Sequence, residues 1–247
     1  FLSYICCMSR ALVIIPTFNE IENIEKMLNT VMALPGGFEV LVVDDGSPDG
    51  TAAAVRRLME VHGGRIHLEE RTGKLGLGTA YIHGFKWALA REYSHVFEMD
   101  CDFSHNPEDL PRLLEACTEG ADVSIGSRYV QGVNVVNWPM SRVLLSYFAS
   151  VYVRFVTGMP IQDATAGFKC YKRETLAGID FSKIHFVGYA FQIEMKFIAW
   201  RKGLTLKEVP VIFTDRTEGT SKMSSGIIKE AIFGVMKLKI WSWFTKP

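Results

Sequence analysis

The sequence predicts an α/β fold, with a mostly parallel sheet and helices on both of its faces. Three observations indicate this fold. Apolar runs rich in Val and Ile alternate with helical patterns between residues 11 and 127. These runs are continuously apolar, as in strands that are buried on both faces. Hydrophobic residues make up 48% of the 247-residue chain and charged residues 22%, so the chain can bury a substantial core and is not disordered.

The elements predicted in this first part alternate regularly. Strands are predicted over 11–15, 38–43, 65–70, 95–99 and 122–127. Helices are predicted over 21–31, 51–62, 79–93 and 107–119, the second with Thr51 as its N-cap. Ligands of parallel α/β sheets bind beyond the carboxyl ends of the strands. We therefore expect the loops that begin at Pro16, Asp44, Arg71 and Asp100 to meet at one edge of the sheet.

The second part of the chain is less regular. The patterns predict an apolar helix over 142–157, a strand over 166–171, a helix over 189–201 and a strand over 204–213. A polar loop, 214–225, precedes a final apolar segment, 227–244. No repeat or low-complexity linker divides the chain. We expect one domain over 8–225 and a C-terminal helical segment over 226–247.

Charge, cysteine content and hydropathy exclude several classes of protein. Lys+Arg and Asp+Glu each total 27, which argues against a broad nucleic-acid-binding surface. Five cysteines without a Cys-x-x-Cys pair argue against a disulfide framework or a zinc site, and predict free thiols in a reducing compartment. The N-terminus lacks the basic start of a signal peptide, and no uncharged apolar run reaches the roughly 18–20 residues of a membrane-spanning helix.

The strongest candidate for chemistry is the pair Asp100 and Asp102, at the end of a predicted strand. Side chains at positions i and i+2 of a strand share one face. Two carboxylates on one face can hold a hard divalent cation such as Mg²⁺ or Mn²⁺. An Asp-x-Asp sequence is common by chance, so its position directly after the apolar run 96–99 carries the argument.

A second acidic pair, Asp44 and Asp45, follows another predicted strand. The rest of the segment 44–51 has the composition of a turn that leads into a helix N-cap. A turn needs only one of the two acids. The other is a candidate to accept hydrogen bonds from the base or the ribose of a nucleotide.

The glycine-rich segment 71–78 matches neither common phosphate-binding template. No Ser or Thr follows Lys74, so it is not a Walker A loop, and its glycine spacing is not GxGxxG. The first strand also runs into 16–20 without a glycine, which argues against a dinucleotide-dependent oxidoreductase. Candidate phosphate-binding cations are Arg128, Arg216 and Lys222. The histidines show no metal-ligand spacing and no Ser/His/Asp or Cys/His arrangement.

Seven segments resemble, in order, the motifs of one known family. They are VIIPTFNE (13–20), VVDDGSPDGT (42–51), KLGLGTAY (74–81), MDCDFSHNP (99–107), GSRY (126–129), AGFKCYKR (166–173) and RTEGTSK (216–222). The family is that of the dolichol-phosphate or polyprenol-phosphate mannosyltransferases, inverting glycosyltransferases of family 2 with the Rossmann-like GT-A fold. The resemblance extends from about residue 10 to residue 225.

The resemblance implies substrates, a cofactor and site residues. The donor is GDP-mannose, the acceptor a dolichyl or undecaprenyl phosphate, the cofactor Mg²⁺ or Mn²⁺, and the product a β-linked mannosyl lipid. By the family's motifs, the guanosine part of the donor is held by Pro16, Phe18, Glu20, Val43 and Asp45. Metal and diphosphate meet Asp100, Cys101 and Asp102, with the two acids as metal ligands. The phosphates face Arg128, Arg216 and Lys222, and the expected catalytic residues are Asp102 and Arg128.

Three positions depart from the family's pattern. Phe18 stands where relatives usually carry Tyr, so one hydroxyl contact is lost. Ser104 stands where some relatives place a metal-contacting Gln, which leaves a third protein ligand open. Cys101 replaces a common Ala and is expected to be neutral.

The family's reaction needs no general base, because a phosphate monoester with a second pKa near 6 is mostly dianionic at pH 7. The absence of a catalytic His or acid dyad therefore agrees with it. Two alternatives stay open: the same fold with UDP-glucose or another nucleotide sugar as donor, and a membrane-docking module without activity. The first is disfavoured because such relatives often add C-terminal transmembrane helices.

A lipid acceptor requires contact with a membrane. The candidate contacts are 143–153 and 227–244, the latter with Trp241 and Trp243 as interfacial anchors and Lys229, Lys237 and Lys239 as snorkelling charges. The alternative is that both segments pack on the core of the domain. We expect a cytoplasmic protein attached peripherally to the cytosolic face of a membrane, with no nucleic-acid partner. A membrane-anchor subunit is neither indicated nor excluded.

Overall fold

The computed structural model describes residues 10–215 and the backbone of a helix over 225–244, whose side chains are described from residue 233 onward. The strands are β1 (Ala11–Thr17), β2 (Glu39–Asp44), β3 (Ile66–Glu70), β4 (His95–Glu98), β5 (Val123–Ser127), β6 (Val135–Val136), β7 (Lys169–Lys172), β8 (Leu206–Pro210) and β9 (Phe213–Thr214). The helices are α1 (Ile21–Ala33), α2 (Thr51–Val61), α3 (Leu77–Leu89), α4 (Leu110–Thr118), α5 (Met140–Thr157), α6 (Arg173–Ala177), α7 (Ala190–Arg201) and α8 (Ser225–Phe244).

Seven strands form the main sheet, in the order β3-β2-β1-β4-β7-β5-β8. All neighbouring pairs are parallel except those of β7, which runs antiparallel to both β4 and β5. β6 and β9 form a separate parallel pair. The predicted α/β fold with a mostly parallel sheet is therefore confirmed.

The sheet divides the apolar core into two layers because successive strand residues point to opposite faces. In β1, Leu12 and Ile14 pack with Phe85 of α3 and Phe191 of α7. Their neighbours Val13 and Ile15 pack in the other layer, against α1, α2 and α4. The strand residues are fully buried, which explains why these runs are continuously apolar in the sequence.

Two predicted boundaries differ for identifiable reasons. β1 continues through Pro16 to Thr17, whereas the prediction ended it at residue 15. The pairing with β4 stops at Ile14, so the missing N–H of Pro16 removes no hydrogen bond on that side. Thr51 is the first residue of α2 rather than its N-cap, which is Gly50 with φ of 93°. The Asp49 side chain accepts from Thr51 N at 3.0 Å and satisfies the helix start.

In the second part, the strands are shorter than predicted, whereas α5 begins two residues earlier, at Met140. The strand expected over 166–171 is β7, which begins only at Lys169. The strand expected over 204–213 is split into β8 and β9, separated by residues 211 and 212. The loop 214–225 lies mostly outside the described residues. The predicted division at residue 225/226 stays a prediction.

The C-terminal helix α8 packs against α5 and α7. Val235 and Leu238 are buried, and the Trp241 ring meets the His185 ring edge-on at 4.6 Å. A Cβ on Gly234 would lie 2.8 Å from the Phe186 ring, so this glycine allows the helix to approach closely. Among the described residues, no helix is both long enough and apolar enough to cross a membrane.

Candidate active site

One cavity of about 400 Å³ lies beyond the carboxyl ends of β4 and β5. Asp100, Asp102 and Arg128 all line it, so the structure brings together three residues that the sequence singled out. Another part of the lining is largely apolar and comes from α5. Its main side chains are Leu145, Phe148, Ala149, Tyr152 and Val153. The cavity is thus lined by charged residues and by the hydrophobic side chains of α5.

A tight turn, rather than the strand itself, positions the two carboxylates. β4 ends at Glu98, and Phe103 has φ of 57°, in the left-handed region. Asp102 Oδ1 accepts from the Ser104 backbone N–H at 3.1 Å, and Asp100 Oδ1 accepts from the Tyr81 hydroxyl at 3.2 Å. Both residues line one cavity, as expected, but they lie in a turn after β4, so alternation along a strand does not place them there.

The side chain of His105 stabilises this turn. Its Nδ1 accepts from the Asp100 backbone N–H at 3.3 Å, and its ring stacks on Phe168 at 5.0 Å. Burial lowers the pKa of His105 to about 4, with Asp102 opposing and Arg128 assisting this shift. The imidazole is therefore neutral at pH 7 and serves as a hydrogen-bond acceptor that holds the turn.

Arg128 is held rigidly in the cavity wall by a buried carboxylate. Its Nε and Nη2 donate to the two oxygens of Asp163 at 2.7 and 2.6 Å, and its backbone N–H donates to the same group at 2.9 Å. Asp163 is completely buried, and although burial raises its pKa, Arg128 lowers that pKa more strongly. The carboxylate of Glu208 in turn accepts from the backbone of Asp163 at 2.8 Å.

A second guanidinium in the cavity, that of Arg142, was missed by the sequence analysis. It lies 4.1 Å from the centre of the Trp138 ring and donates to Asp215 Oδ1 at 2.7 Å. Arg142 lines the same cavity as Arg128. A usable signal was present, because this cation directly precedes the apolar run 143–153 and would have to sit at one end of that helix.

The two acids after β2 have different surroundings. Asp44 is fully buried and accepts from Thr17 Oγ1 at 2.8 Å and from Ser47 N–H at 2.8 Å, so it holds the turn. Asp45 accepts from Arg71 Nε at 2.6 Å, and Arg71 also donates to Thr79 Oγ1 at 2.8 Å. The glycine-rich segment 71–78 is therefore tied to the end of β2.

The remaining candidates for nucleoside contact lie along the same edge. Lys74 Nζ is 5.2 Å from the centre of the Phe18 ring, and Glu20 accepts from Asn23 Nδ2 at 3.2 Å. Pro16 pairs in register with Val43, whose side chain is buried in the core. None of these residues lines the 400 Å³ cavity as the structure describes it.

Of the other predicted contacts, Cys101 and Ser104 lie in the described part of the chain, and Arg216 and Lys222 do not. The side chain of Cys101 is buried in the core below the turn and does not line the cavity as described, whereas Ser104 does line it. Arg216 and Lys222 lie outside the described residues, so their predicted contacts with phosphate stay predictions.

Comparison with known proteins identifies similar sequences over nearly the whole chain. Residues 12–179 match the model of the family Glycosyl transferase family 2. A polyprenol monophosphomannose synthase from Mycolicibacterium smegmatis is 50% identical over 226 residues, which cover 92% of this chain and 85% of that protein. An undecaprenyl-phosphate mannosyltransferase from Micrococcus luteus is 47% identical over 229 residues, covering 92% of this chain and 93% of that protein.

Solved structures share the fold at low sequence identity. A mannosyltransferase from Pyrobaculum calidifontis, in complex with GDP-Man and Mn²⁺, superimposes with a TM-score of 0.60 at 20% identity and covers 96% of this chain and 66% of its own. A glucosyl-3-phosphoglycerate synthase from Mycobacterium tuberculosis gives a TM-score of 0.68 at 17% identity, with 97% of this chain and 80% of the other covered. The predicted GT-A architecture is thereby confirmed.

Proposed function

We propose that this chain, which belongs to glycosyl transferase family 2 and within it to the polyprenyl-phosphate mannosyltransferases, transfers mannose from GDP-mannose to a polyprenyl phosphate. One observation carries the proposal. Two carboxylates, Asp100 and Asp102, share a cavity with two guanidiniums, Arg128 and Arg142, and with apolar side chains of α5. Such a cavity suits a diphosphate and a second phosphate that bears a hydrocarbon chain.

The residues of the turn fit a hard divalent cation. Asp100 and Asp102 supply carboxylate oxygens, the donors that Mg²⁺ and Mn²⁺ prefer. Within the described part of the chain, no three His, Cys, Asp or Glu side chains form a larger metal-binding group. Two protein carboxylates, with the remaining positions filled by diphosphate oxygens and water, are a usual arrangement for Mg²⁺. When bound, the cation would stabilise the negative charge of the departing GDP.

The two arginines are suited to the acceptor phosphate. A dianionic phosphate must approach a donor that also carries negative charge, and this repulsion opposes the reaction. Arg128 cannot move away, because Asp163 fixes it through two side-chain hydrogen bonds. Arg142 stands at the start of α5, next to the apolar wall. The pair can therefore bind the headgroup at the point where the lipid chain leaves the cavity.

The transfer itself is a direct displacement. An oxygen of the acceptor phosphate forms a bond to the anomeric carbon of mannose, while the bond from that carbon to the diphosphate oxygen breaks and GDP leaves with the electron pair. The acceptor phosphate is already ionised at pH 7 and requires no base. A single displacement inverts the configuration, so an α-linked donor gives a β-linked product.

The guanosine of the donor is assigned to the edge formed by the loops after β1 and β2. Asp45 is suited to accept hydrogen bonds from the nucleoside because Arg71 holds its carboxylate in place. Phe18 offers a ring face instead of the hydroxyl usual in relatives. The remaining assigned contacts are Pro16, Glu20 and Val43, with Arg216 and Lys222 at the phosphates. Because the Cys101 side chain is buried in the core, only its backbone is assigned a place beside the diphosphate.

A donor panel tests this function. Purified protein is incubated with short polyprenyl phosphate, Mg²⁺ or Mn²⁺, and either GDP-mannose or UDP-glucose, and the lipid product is identified by mass spectrometry. We expect a mannosyl lipid from GDP-mannose with a β anomeric proton by NMR. Efficient transfer from UDP-glucose instead, or a product of α configuration, would contradict the proposal.

A carboxylate variant tests the role of the turn. Asp102→Asn should lower the rate of transfer roughly 100-fold or more, because a group that stabilises the leaving diphosphate is weakened. The matched control is Asp180→Asn, which should leave the rate unchanged. Asp180 is an exposed acid at the N-cap of the 3-10 helix Phe181–Lys183. Equal rates for Asp102→Asn and wild type would contradict the proposal that Asp102 holds a cation at this turn.

We further propose that α5 and α8 attach the protein to the membrane that holds its acceptor. The two helices pack together and expose large apolar side chains. On α5 these are Met140, Leu144, Leu145, Tyr147, Phe148 and Phe155, and on α8 Phe233, Met236, Ile240, Trp243 and Phe244. Because α5 also forms the cavity wall, a lipid could reach the cavity directly from this face. Peripheral attachment at the cytosolic face would follow.

Liposome co-sedimentation tests the attachment. Removing α8 is a poor test because Val235 and Leu238 are part of the core. The double variant Phe155→Ser/Trp243→Ser changes two side chains that are 88% and 69% exposed, and should weaken binding to anionic liposomes roughly tenfold or more. The control Val61→Ser changes an apolar residue on α2 that is 73% exposed. Equal binding by both variants would argue against this surface.

A further inference from the structure

The active-site cavity is lined by a side-chain amide whose orientation is fixed by a hydrogen bond from a buried lysine. Gln192 of α7 lines the cavity, and its Oε1 accepts a hydrogen bond from Lys169 Nζ of β7. A lysine ammonium has donors and no acceptor, so the amide must turn its oxygen towards it. The amide nitrogen of Gln192 therefore faces away from Lys169.

That nitrogen lies close to Gly167, which is also close to the ring of His105. A Cβ built on Gly167 would lie 3.7 Å from Gln192 Nε2 and 3.7 Å from His105 Cε1, so the amide and the imidazole flank this glycine. His105 in turn holds the backbone of Asp100. Because Gln192 lines the cavity and Lys169 occupies its amide oxygen, the amide N–H groups are what this side chain can offer to a ligand there.

A buried ion pair fixes the lysine. Lys169 and Glu98 stand opposite each other in the β4–β7 register, with Nζ and Oε1 3.2 Å apart and both side chains completely buried. Glu98 also accepts from the Tyr171 hydroxyl at 2.8 Å. Replacing such a buried pair with apolar residues is often neutral or stabilising, so stability alone is a weak reason for having it here. Its geometric effect is to lock the amide of Gln192.

We infer that Gln192 donates a hydrogen bond to an oxygen of the transferred sugar, with Lys169 and Glu98 as its positioning residues. The inference rests on the proposed function. The sugar must lie between the diphosphate at the 100–102 turn and the acceptor phosphate at Arg128, and Gln192 lines this same cavity. A fixed donor discriminates strongly against a substrate that lacks the matching oxygen, because the donor is then left unpaired.

The experiment compares GDP-mannose with its 2-, 3-, 4- and 6-deoxy analogues. In the wild type, one deoxy donor should have a kcat/KM at least tenfold below that of GDP-mannose. In Gln192→Met and Gln192→Glu, that penalty should fall to less than threefold, because the contact is already lost. Binding of GDP alone, measured by calorimetry, should change less than twofold. The control Gln131→Met alters an exposed glutamine outside the cavity and should keep the wild-type penalty.

The positioning role has its own readout. Lys169→Met should also lose the deoxy penalty while it keeps the affinity for GDP. A merely structural defect would instead lower the affinity for GDP as well. Where Lys169→Met does not fold, the two Gln192 variants decide the question. The inference is overturned if they keep every deoxy penalty of the wild type, or if they lose GDP affinity in the same ratio as GDP-mannose affinity. A wild type that transfers no mannose at all would overturn the proposed function first, and the inference with it.

Discussion

Two regions, the edge proposed to bind the nucleoside (the nucleoside edge) and the part of the cavity proposed to bind the acceptor (the acceptor side), are held together in different ways. At the nucleoside edge, Asp44 is bound by Ser47, three residues away, and by Thr17 of the neighbouring strand. On the acceptor side, Arg128 is bound by Asp163, 35 residues away, and Arg142 by Asp215, 73 residues away. The first region is built from a local motif on adjacent parallel strands. The second exists only when distant segments have folded together.

The difference extends to electrostatics. The Arg128–Asp163 pair is almost fully removed from solvent, with side chains 10% and 0% exposed. A buried pair is costly to break, because the remaining charge is left without a partner in a medium of low polarity. The Asp44 carboxylate instead keeps several neutral donors, so the loss of one of them leaves the others in place. We therefore expect the acceptor side to be the more sensitive region.

The largest effect is expected for Asp163→Asn. The change leaves the Arg128 guanidinium buried without its counter-charge, and we expect it to lower the free energy of unfolding by about 3–5 kcal/mol. Chemical denaturation measures this value. Glu119→Gln is the control, because it breaks the Lys207–Glu119 pair, whose side chains are 49% and 58% exposed, and should leave the free energy of unfolding nearly unchanged. Similar losses for both variants would erase the distinction between the two regions.

A smaller effect is expected for Thr17→Val at the nucleoside edge. The substitution removes one of the hydrogen bonds to Asp44 and preserves side-chain shape, so we expect a loss of about 1–2 kcal/mol. Thr30→Val is the control, since Thr30 donates only to the Lys26 carbonyl in an exposed part of α1. A loss for Thr17→Val as large as that for Asp163→Asn would mean that the local motif is not redundant.

The smallest effect is expected for Glu39→Gln. Glu39 has partners that are distant along the chain but is not fully buried, so this variant tests whether burial or distance along the chain determines the sensitivity. Burial raises the pKa of Glu39, but hydrogen bonds from Tyr93, His67 and Arg10 lower it more, to below the usual 4.5. These partners are distant in sequence, yet Glu39 is partly exposed. We expect the substitution to cost less than about 1 kcal/mol at pH 7.

The sign of the pH dependence follows from the lowered pKa. The folded state holds Glu39 ionised more strongly than the unfolded chain does, so its contribution to stability is present above about pH 4.5 and is lost as the pH falls through the folded-state pKa. The stability difference between wild type and Glu39→Gln should therefore close in acid. Denaturation curves between pH 3 and pH 7 measure this, with Glu60→Gln as the exposed control. A difference that widens in acid would contradict this account.

The regular β-α units and the edge where their loops meet could be predicted because their signals are local. Continuous apolar runs mark β1 and β2, and the acids that follow them mark the carboxyl ends. The antiparallel course of β7 left no such mark, since four residues of strand carry no information on direction or neighbours. The pairing of Asp163 with Arg128 was likewise not predictable, because 35 residues separate the two and no local pattern links them.

Gln192 illustrates the same limit at the level of one side chain. In the sequence it is a polar residue in an apolar helix, with no spacing that distinguishes it. Its significance comes from Lys169 on a different element, which determines which end of the amide meets the cavity. The resemblance to the mannosyltransferases directed attention to the charged residues of the motifs. It gave no indication of Arg142 or of Asp163, whose roles follow from their contacts.

The course of β7 has a consequence for synthesis on the ribosome. This strand is inserted between β4 and β5, which both precede it in the chain. Until residue 172 has emerged, both of those strands present an edge with unpaired backbone groups, the kind of edge that favours association between nascent chains. The catalytic pocket is therefore completed late in translation, and truncated products that stop near residue 127 should be prone to aggregate.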